Sequence, residues 1–377
     1  PPEPPPPAPP EPPPPPPPLV PEVLQSGGVV RAALGDIMVY TVLPGAFDSD
    51  FRVRNVVTGV ESRLLNAGQS SPMRRGITSK WIYGSPMNPP ATGCTPGCVL
   101  RWSITGGAAV ALEKDTAPPP YKIVADGDYA AWISDAGDTV LSLHNAIANT
   151  TQDAVVIATV GLRILEWDMA VVGGAPVIYY WIGPSAAGLA VRDVTLHRWT
   201  EAGGSQQIEA FANTNSPTGV EPKFAPQIAV DSTNVAYNVW TPAGASPTAI
   251  TTVIRPVTGG AKTAIGGKSH SLRMRHGIAL WAENFPPISD PLATPDYWAW
   301  SREQGSQLLA EHSDWWGELE VAPGYAVFGV GILALQSWNA VTGVKTDLNT
   351  GRALNSNATD GWVYFYRDST IFRVKLE

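Results

Sequence analysis

Short apolar runs, most of them carrying an aromatic ring at their end, recur along the whole chain behind a proline-rich start. Ile37-Met38-Val39-Tyr40, Lys80-Trp81-Ile82-Tyr83, Tyr129-Ala130-Ala131-Trp132 and Ile178-Tyr179-Tyr180-Trp181 are the first four. Val235-Ala236-Tyr237, Ile278-Ala279-Leu280-Trp281, Tyr325-Ala326-Val327-Phe328 and Trp362-Val363-Tyr364-Phe365 follow. Runs this short, rich in β-branched and aromatic residues and punctuated by Gly, Pro and Asp, predict strands. Gly35-Asp36, Asp126-Gly127, His276-Gly277 and Asp360-Gly361 precede four of the runs and predict tight turns that feed them.

A second pattern keeps the same beat. NVVTGVESRLL around Gly59, SITGGAAVALE around Gly106, RPVTGGAKTAI around Gly259 and WNAVTGVKTDL around Gly343 each read as strand, Thr-Gly turn, strand. Glycine at such a corner supplies the positive φ of a tight hairpin. From Thr58 to Thr105 is 47 residues (105 − 58), and the aromatic runs themselves recur at intervals of about 37 to 58. Two marks on one period in the forties, with about four strands per unit, predict an all-β fold, a β-propeller.

The pattern of turn, aromatic strand, loop, strand and Thr-Gly turn resembles the TolB-like and WD-repeat propellers over roughly residues 27–377. The Gly-His and Trp-Asp pairs that mark WD repeats at fixed offsets are absent. Counting aromatic strands predicts eight four-stranded blades, with seven as the alternative if one run is misread. The eighth lacks a strand at the C-terminal end, and Leu19 to Gln25 is expected to complete it with residues 357–377, closing the ring. Trp81, Trp132, Trp181 and Trp281 are expected to pack between sheets.

The chain divides into residues 1–18 and a propeller at 19–377. Fifteen of the first eighteen residues are proline. Proline fixes φ and has no N–H, so this arm is expected to be a polyproline II rod of roughly 55 Å. A globular body of the remaining length has a radius of gyration of roughly 21 Å, so the arm reaches beyond its own ring. Pro12, Pro13, Pro14, Pro15, Pro16, Pro17 and Pro18 form its longest uninterrupted run and are the expected contact with a partner. Aromatic grooves dock such rods, and the Trp298/Trp300 and Trp315/Trp316 segments, read as loops, are the candidate acceptors.

Charged residues make up only 15% of the 377, and the net charge is −8. That balance argues against a nucleic-acid partner. No uninterrupted apolar stretch is long enough for a membrane span; Met169 to Ile182 is broken by Gly173, Gly174 and Pro176. Cys94 and Cys98, in GCTPGC, are too few for a structural zinc site and read as a local disulfide, which implies an oxidising compartment. The absence of an initiating methionine fits a cleaved signal sequence, and secretion is expected.

Catalytic vocabulary is sparse. His144, His197, His270, His276 and His312 form no HExxH pattern, and Gly267-Lys268-Ser269-His270-Ser271 lacks the closing glycine of a nucleophile elbow. Asp48 and Asp50, and Asp135 and Asp138, are candidate calcium ligands but read better as turn aspartates. Asn149 and Asn357 match the glycosylation pattern and are expected in loops. No catalytic residue, cofactor or metal is assigned. The expectation is a non-enzymatic extracellular structural protein whose arm docks on a neighbouring copy to build a filament or sheath. A surface-tethered propeller binding a glycan or protein is the alternative. A secreted lyase or glycoside hydrolase is a third reading, by fold analogy alone.

Overall fold

The structure, a computed structural model, describes residues 19–42, 50–65, 74–85, 98–112, 120, 122–135, 137–184, 193–211, 226–243, 246–283, 294–311, 319–330 and 334–376. Those residues form eight four-stranded antiparallel sheets and no helix. In chain order, the blades occupy 28–65, 74–111, 123–156, 162–211, 228–266, 270–310, 319–347 and 354–375. The first strand of each blade touches the first strands of the blades on either side, and the eighth returns to the first, so the ring is closed. The chain is an eight-bladed β-propeller repeat protein.

Why the second strands carry the repeat signal follows from where they lie. Each second strand is covered on both faces by a neighbouring blade, so its middle is buried and reads as a continuous apolar run. Trp81–Ser85 and Tyr325–Val330 have every residue buried or half-buried. Outer strands meet water and read as polar: Thr150–Val156 is exposed over its first four residues. The aromatic that ends each run packs in a seam, against the preceding blade in six blades and, at Tyr83 and Trp181, against the following one. Tyr40, Tyr83, Trp132, Trp181, Tyr237, Trp281, Phe328 and Phe365 are all fully buried.

The core is not one mass but eight seams, one between each pair of adjacent blades. Ala32, Val39, Phe51 and Trp102 belong to the seam of blades 1 and 2. Trp181, Val194, Val235 and Tyr237 fill that of blades 4 and 5. Val30, Tyr40, Tyr364 and Ile371 join blade 8 to blade 1. Stability in such an array is carried by nearest-neighbour interfaces, and a ring leaves none of them open.

The outer strand of blade 8 comes from the other end of the chain. Glu22–Ser26 pairs with Thr370–Lys375, Glu22 opposite Arg373 and Ser26 opposite Thr370. Arg373 Nε donates to Glu22 at 2.8 Å and its Nη1 to Asp36 of blade 1 at 3.3 Å. Leu19 is outside the strand; it packs on the seam of blades 7 and 8, and Asn349 Nδ2 donates to its carbonyl at 3.3 Å.

Candidate functional site

The inner strand of every blade has one edge paired with the second strand and the other facing the axis. Eight such edges surround a channel of about 570 Å³, within the range of small-ligand pockets. Small and apolar residues such as Ala32, Ala33, Gly76 and Ala229 line much of it. The charged side chains there, among the described residues, are Arg31, Lys122, Asp168, Arg273, Arg275 and Glu320. His276, in the turn after the inner strand of blade 6, lies at the edge of the channel.

Free strand edges carry polar groups that need partners. Much of the need is met by side chains reaching across to the next blade. Asp126, ending the inner strand of blade 3, accepts from Val171 N of blade 4 at 2.7 Å. Asp231 takes the same place in blade 5 and accepts from Gly277 N of blade 6 at 2.6 Å. Thr359 does so in blade 8, accepting from Gly35 N of blade 1 at 2.7 Å. Midway along the strands, Asp168 accepts from Val230 N at 2.9 Å, and Gln227 accepts from Leu272 N at 3.2 Å. Arg275 Nη1 returns the link by donating to Val230 O at 2.7 Å, with Asp168 3.5 Å away. Lys122 Nζ pairs with Glu166 at 2.7 Å and donates to Trp167 O.

Two of the channel cations stand differently. Arg31 occupies the bulge between Val30 and Ala32, where the register with the second strand shifts. Its Nε donates to Thr41 Oγ1 at 3.1 Å, and burial lowers its pKa, though guanidinium stays charged. Arg273 follows the bulge that begins at His270 in blade 6. It is exposed to the channel and has no hydrogen bond or ion pair among the described residues. A bulge turns a side chain away from the regular alternation, which places Arg31; Arg273, back in register opposite Leu280, alternates with the buried Leu272 and Met274.

The sequence-predicted residues fall elsewhere. Pro12 to Pro18, Cys94, Trp315 and Trp316 lie outside the described residues. Cys98 is fully buried in the seam of blades 1 and 2. Trp298 and Trp300 are not in a loop: they lie in the strand Asp296–Ser301, half-buried against the seam of blades 5 and 6. The alternation that buries Tyr297, Ala299 and Ser301 on the opposite side is present in the sequence as a period of two. Asn357 is likewise not in a loop; it sits in the inner strand of blade 8, opposite Tyr364, and lines the channel. Asn149 does occupy a turn, with φ of 53°.

Asp135 is a turn cap. Its carboxylate accepts from Gly137 N at 3.1 Å, Thr139 N at 2.8 Å, Thr139 Oγ1 at 2.7 Å and Val140 N at 2.8 Å. Burial pushes its pKa up, but the hydrogen bonds from Thr139, Val140 and Gly137 outweigh it, and the net direction is down. Asp138 goes the other way, raised by burial and by Asp135 against the pull of Arg163. Among the described residues no three His, Cys, Asp or Glu side chains are grouped to hold a metal, and no helix is long and apolar enough to cross a membrane.

His144 joins blades 2 and 3. Arg101 Nη1 lies 2.9 Å from its Nε2, so that nitrogen accepts, and Nδ1 carries the proton toward Thr151 Oγ1 at 3.1 Å. Burial, and then the Arg101 charge, push its pKa down to about 4. The histidine is a neutral, buried strut.

No family model matches the chain, and no curated protein matches it in sequence. Solved structures match its shape. The computationally designed Ika8 protein superposes with a TM-score of 0.56 at 15% identity, covering 94% of this chain and 100% of its own. BamB from Moraxella catarrhalis gives a TM-score of 0.53 at 14% identity, covering 95% and 100%. At such identities the likeness is one of fold alone.

Proposed function

We propose that the protein is a non-enzymatic subunit of an extracellular assembly, in which the ring is a rigid head and the proline-rich segment grips a neighbouring copy. The observation that carries this reading is where the segment leaves the ring. Residue 19 is packed on the seam of blades 7 and 8, and residues 22–26 are bonded into the outermost strand of blade 8. A proline tract rooted there starts from the circumference, away from the axis. Its composition favours an extended, preorganised conformation, so docking costs little ordering entropy. A contact between a tract and a ring is heterologous and propagates from copy to copy. The axial side chains favour a non-catalytic ring, since Asp126, Asp168, Asp231, Lys122 and Arg275 are committed to backbone groups of adjacent blades. Deleting Pro1 to Pro18 tests the proposal. Light scattering and electron microscopy should show multimers or filaments for the full chain and monomers for the deletion. A full chain that stays monomeric at high concentration, or a deletion that still assembles, refutes it.

A further inference from the structure

Among the described residues the channel holds four cations, Arg31, Lys122, Arg273 and Arg275, against two carboxylates, Asp168 and Glu320, in a chain whose net charge is −8. Local charge therefore runs opposite to the charge of the whole molecule. Three of the cations are engaged: Lys122 by Glu166 and the Trp167 carbonyl, Arg275 by the Val230 carbonyl and Asp168, and Arg31, through Nε, by Thr41 Oγ1. Arg273 is not. It faces the channel without an acceptor among the described residues, on the same ring of inner strands that carries Arg31 at a bulge.

A cleft with low-dielectric walls and one sign of charge concentrates counter-ions. Guanidinium presents its donors in a planar fork that fits carboxylate and phosphate oxygens two at a time. The inner strands add N–H groups along edges turned to the axis, a second kind of donor suited to the same oxygens. We propose that the axial channel is a binding site for a small oxyanion ligand, one bearing carboxylate or phosphate groups, with Arg273 as its principal anchor and Arg31 as the second cation. The volume of about 570 Å³ admits a ligand of several such groups and excludes a folded partner. The channel site does not depend on the assembly, because its two proposed anchors, Arg31 and Arg273, both belong to the ring.

Calorimetric titration of the full chain with inorganic phosphate and with citrate, and with glycerol as the neutral control, tests it. Saturable binding of either anion, with none for glycerol, is expected, weakening as ionic strength rises. Arg273→Gln should weaken that binding about tenfold or more, the loss that follows removal of a charge-assisted hydrogen bond, and Arg273→Lys should retain part of it. Arg63→Gln, on the outer strand of blade 1 and 53% exposed in its side chain, should bind as the parent does. Because Arg273 has no partner among the described residues, Arg273→Gln should melt with the parent, which separates lost binding from lost folding. Absence of saturable binding by both anions overturns the proposal. So does an Arg273→Gln variant, melting as the parent does, that binds with parental affinity.

Discussion

On one face of the ring the chain turns back through a few residues, from inner to second strand and from third to outer strand. On the other it passes from second to third strand, and from blade to blade, through connections of very unequal length. Asp368-Ser369 suffices in blade 8, whereas residues 86–99 separate the second and third strands of blade 2 and residues 284–295 those of blade 6. The turn face repeats itself chemically. Asn55, Asn145 and Asn339 stand at one position in blades 1, 3 and 7, each accepting from the N–H groups two and three residues on, at 2.9 to 3.1 Å. Ser103, Thr200 and Ser301 cap the same corner in blades 2, 4 and 6. A tight turn admits few residues, so it leaves a mark in the sequence; a long connection admits many and is where recognition can vary.

The sharpest test of that contrast sets Asp231 against Asp135. Asp231 is 4% exposed; its carboxylate caps its own turn through Thr233 and Asn234 and reaches Gly277 of the next blade. Asp231→Ala leaves three backbone donors without their acceptor and loosens a seam, and should cost about 3 kcal/mol in denaturant unfolding. Asp135, on the opposite face, serves only its local turn, and Asp135→Ala should cost about half as much. Equal losses would erase the distinction between the faces.

A smaller effect comes from pH. His144 is held near pKa 4, below its ordinary value, so the folded protein keeps it neutral while the unfolded chain takes up a proton. Its contribution is therefore complete above about pH 6.5 and declines as pH falls toward the folded value. Between pH 7 and pH 5 the parent should lose about 2 kcal/mol from this group. His144→Gln should lose less over the same interval; identical pH slopes would show that the strut is not neutral in the fold. Carboxylates with depressed pKa, such as Asp135, act in the same direction but at lower pH.

Asn339→Ala removes one turn cap and should cost about 1 kcal/mol, a typical loss for a capping side chain. The same change at Asn55 or Asn145 should match it, since the three corners share their hydrogen bonds. Unequal costs among the three would mean that the neighbouring blades, rather than the turn itself, set its stability.

How much of the molecule is legible in its sequence divides along the same line. The Thr-Gly corners carry positive φ, from 73° at Gly59 to 104° at Gly259, and the aromatic beat marks second strands whose two faces are both covered. Those features are local, and a repeat makes them visible. The channel is not legible in this way. Arg273 and Asp168 matter through inner strands with no shared motif, and their surroundings are built by other blades: Asp168 bonds to Val230, 62 residues on. Trp298 and Trp300 depart from the loop expected of them because a dense cluster of rings suggests a surface, whereas a strand with two sides accommodates the same cluster.

Blade 5 supplies the smallest predicted effect and the finest test of the turn argument. Pro256 stands where blades 1 to 4, 6 and 7 place Asn, Ser or Thr, and the corner closes one residue earlier than in blades 1 and 7, Gly259 N bonding to Pro256 O at 3.0 Å. Blade 2 closes in the same way, Gly106 N to Ser103 O at 2.9 Å, with Ser103 Oγ accepting from Thr105 N at 3.3 Å. Pro256→Ser would give blade 5 the corner of blade 2. It adds a side-chain acceptor worth about 0.5 to 1 kcal/mol. It also returns conformational freedom to the unfolded chain, which costs about 0.4 to 1 kcal/mol. The two should nearly cancel, leaving unfolding within about 0.5 kcal/mol of the parent. A clear gain would show that the capping hydrogen bond outweighs chain stiffness at these corners. A clear loss would show that stiffness of the chain alone can replace the cap, and blade 5 would then be a second solution to the turn rather than a gap in the pattern.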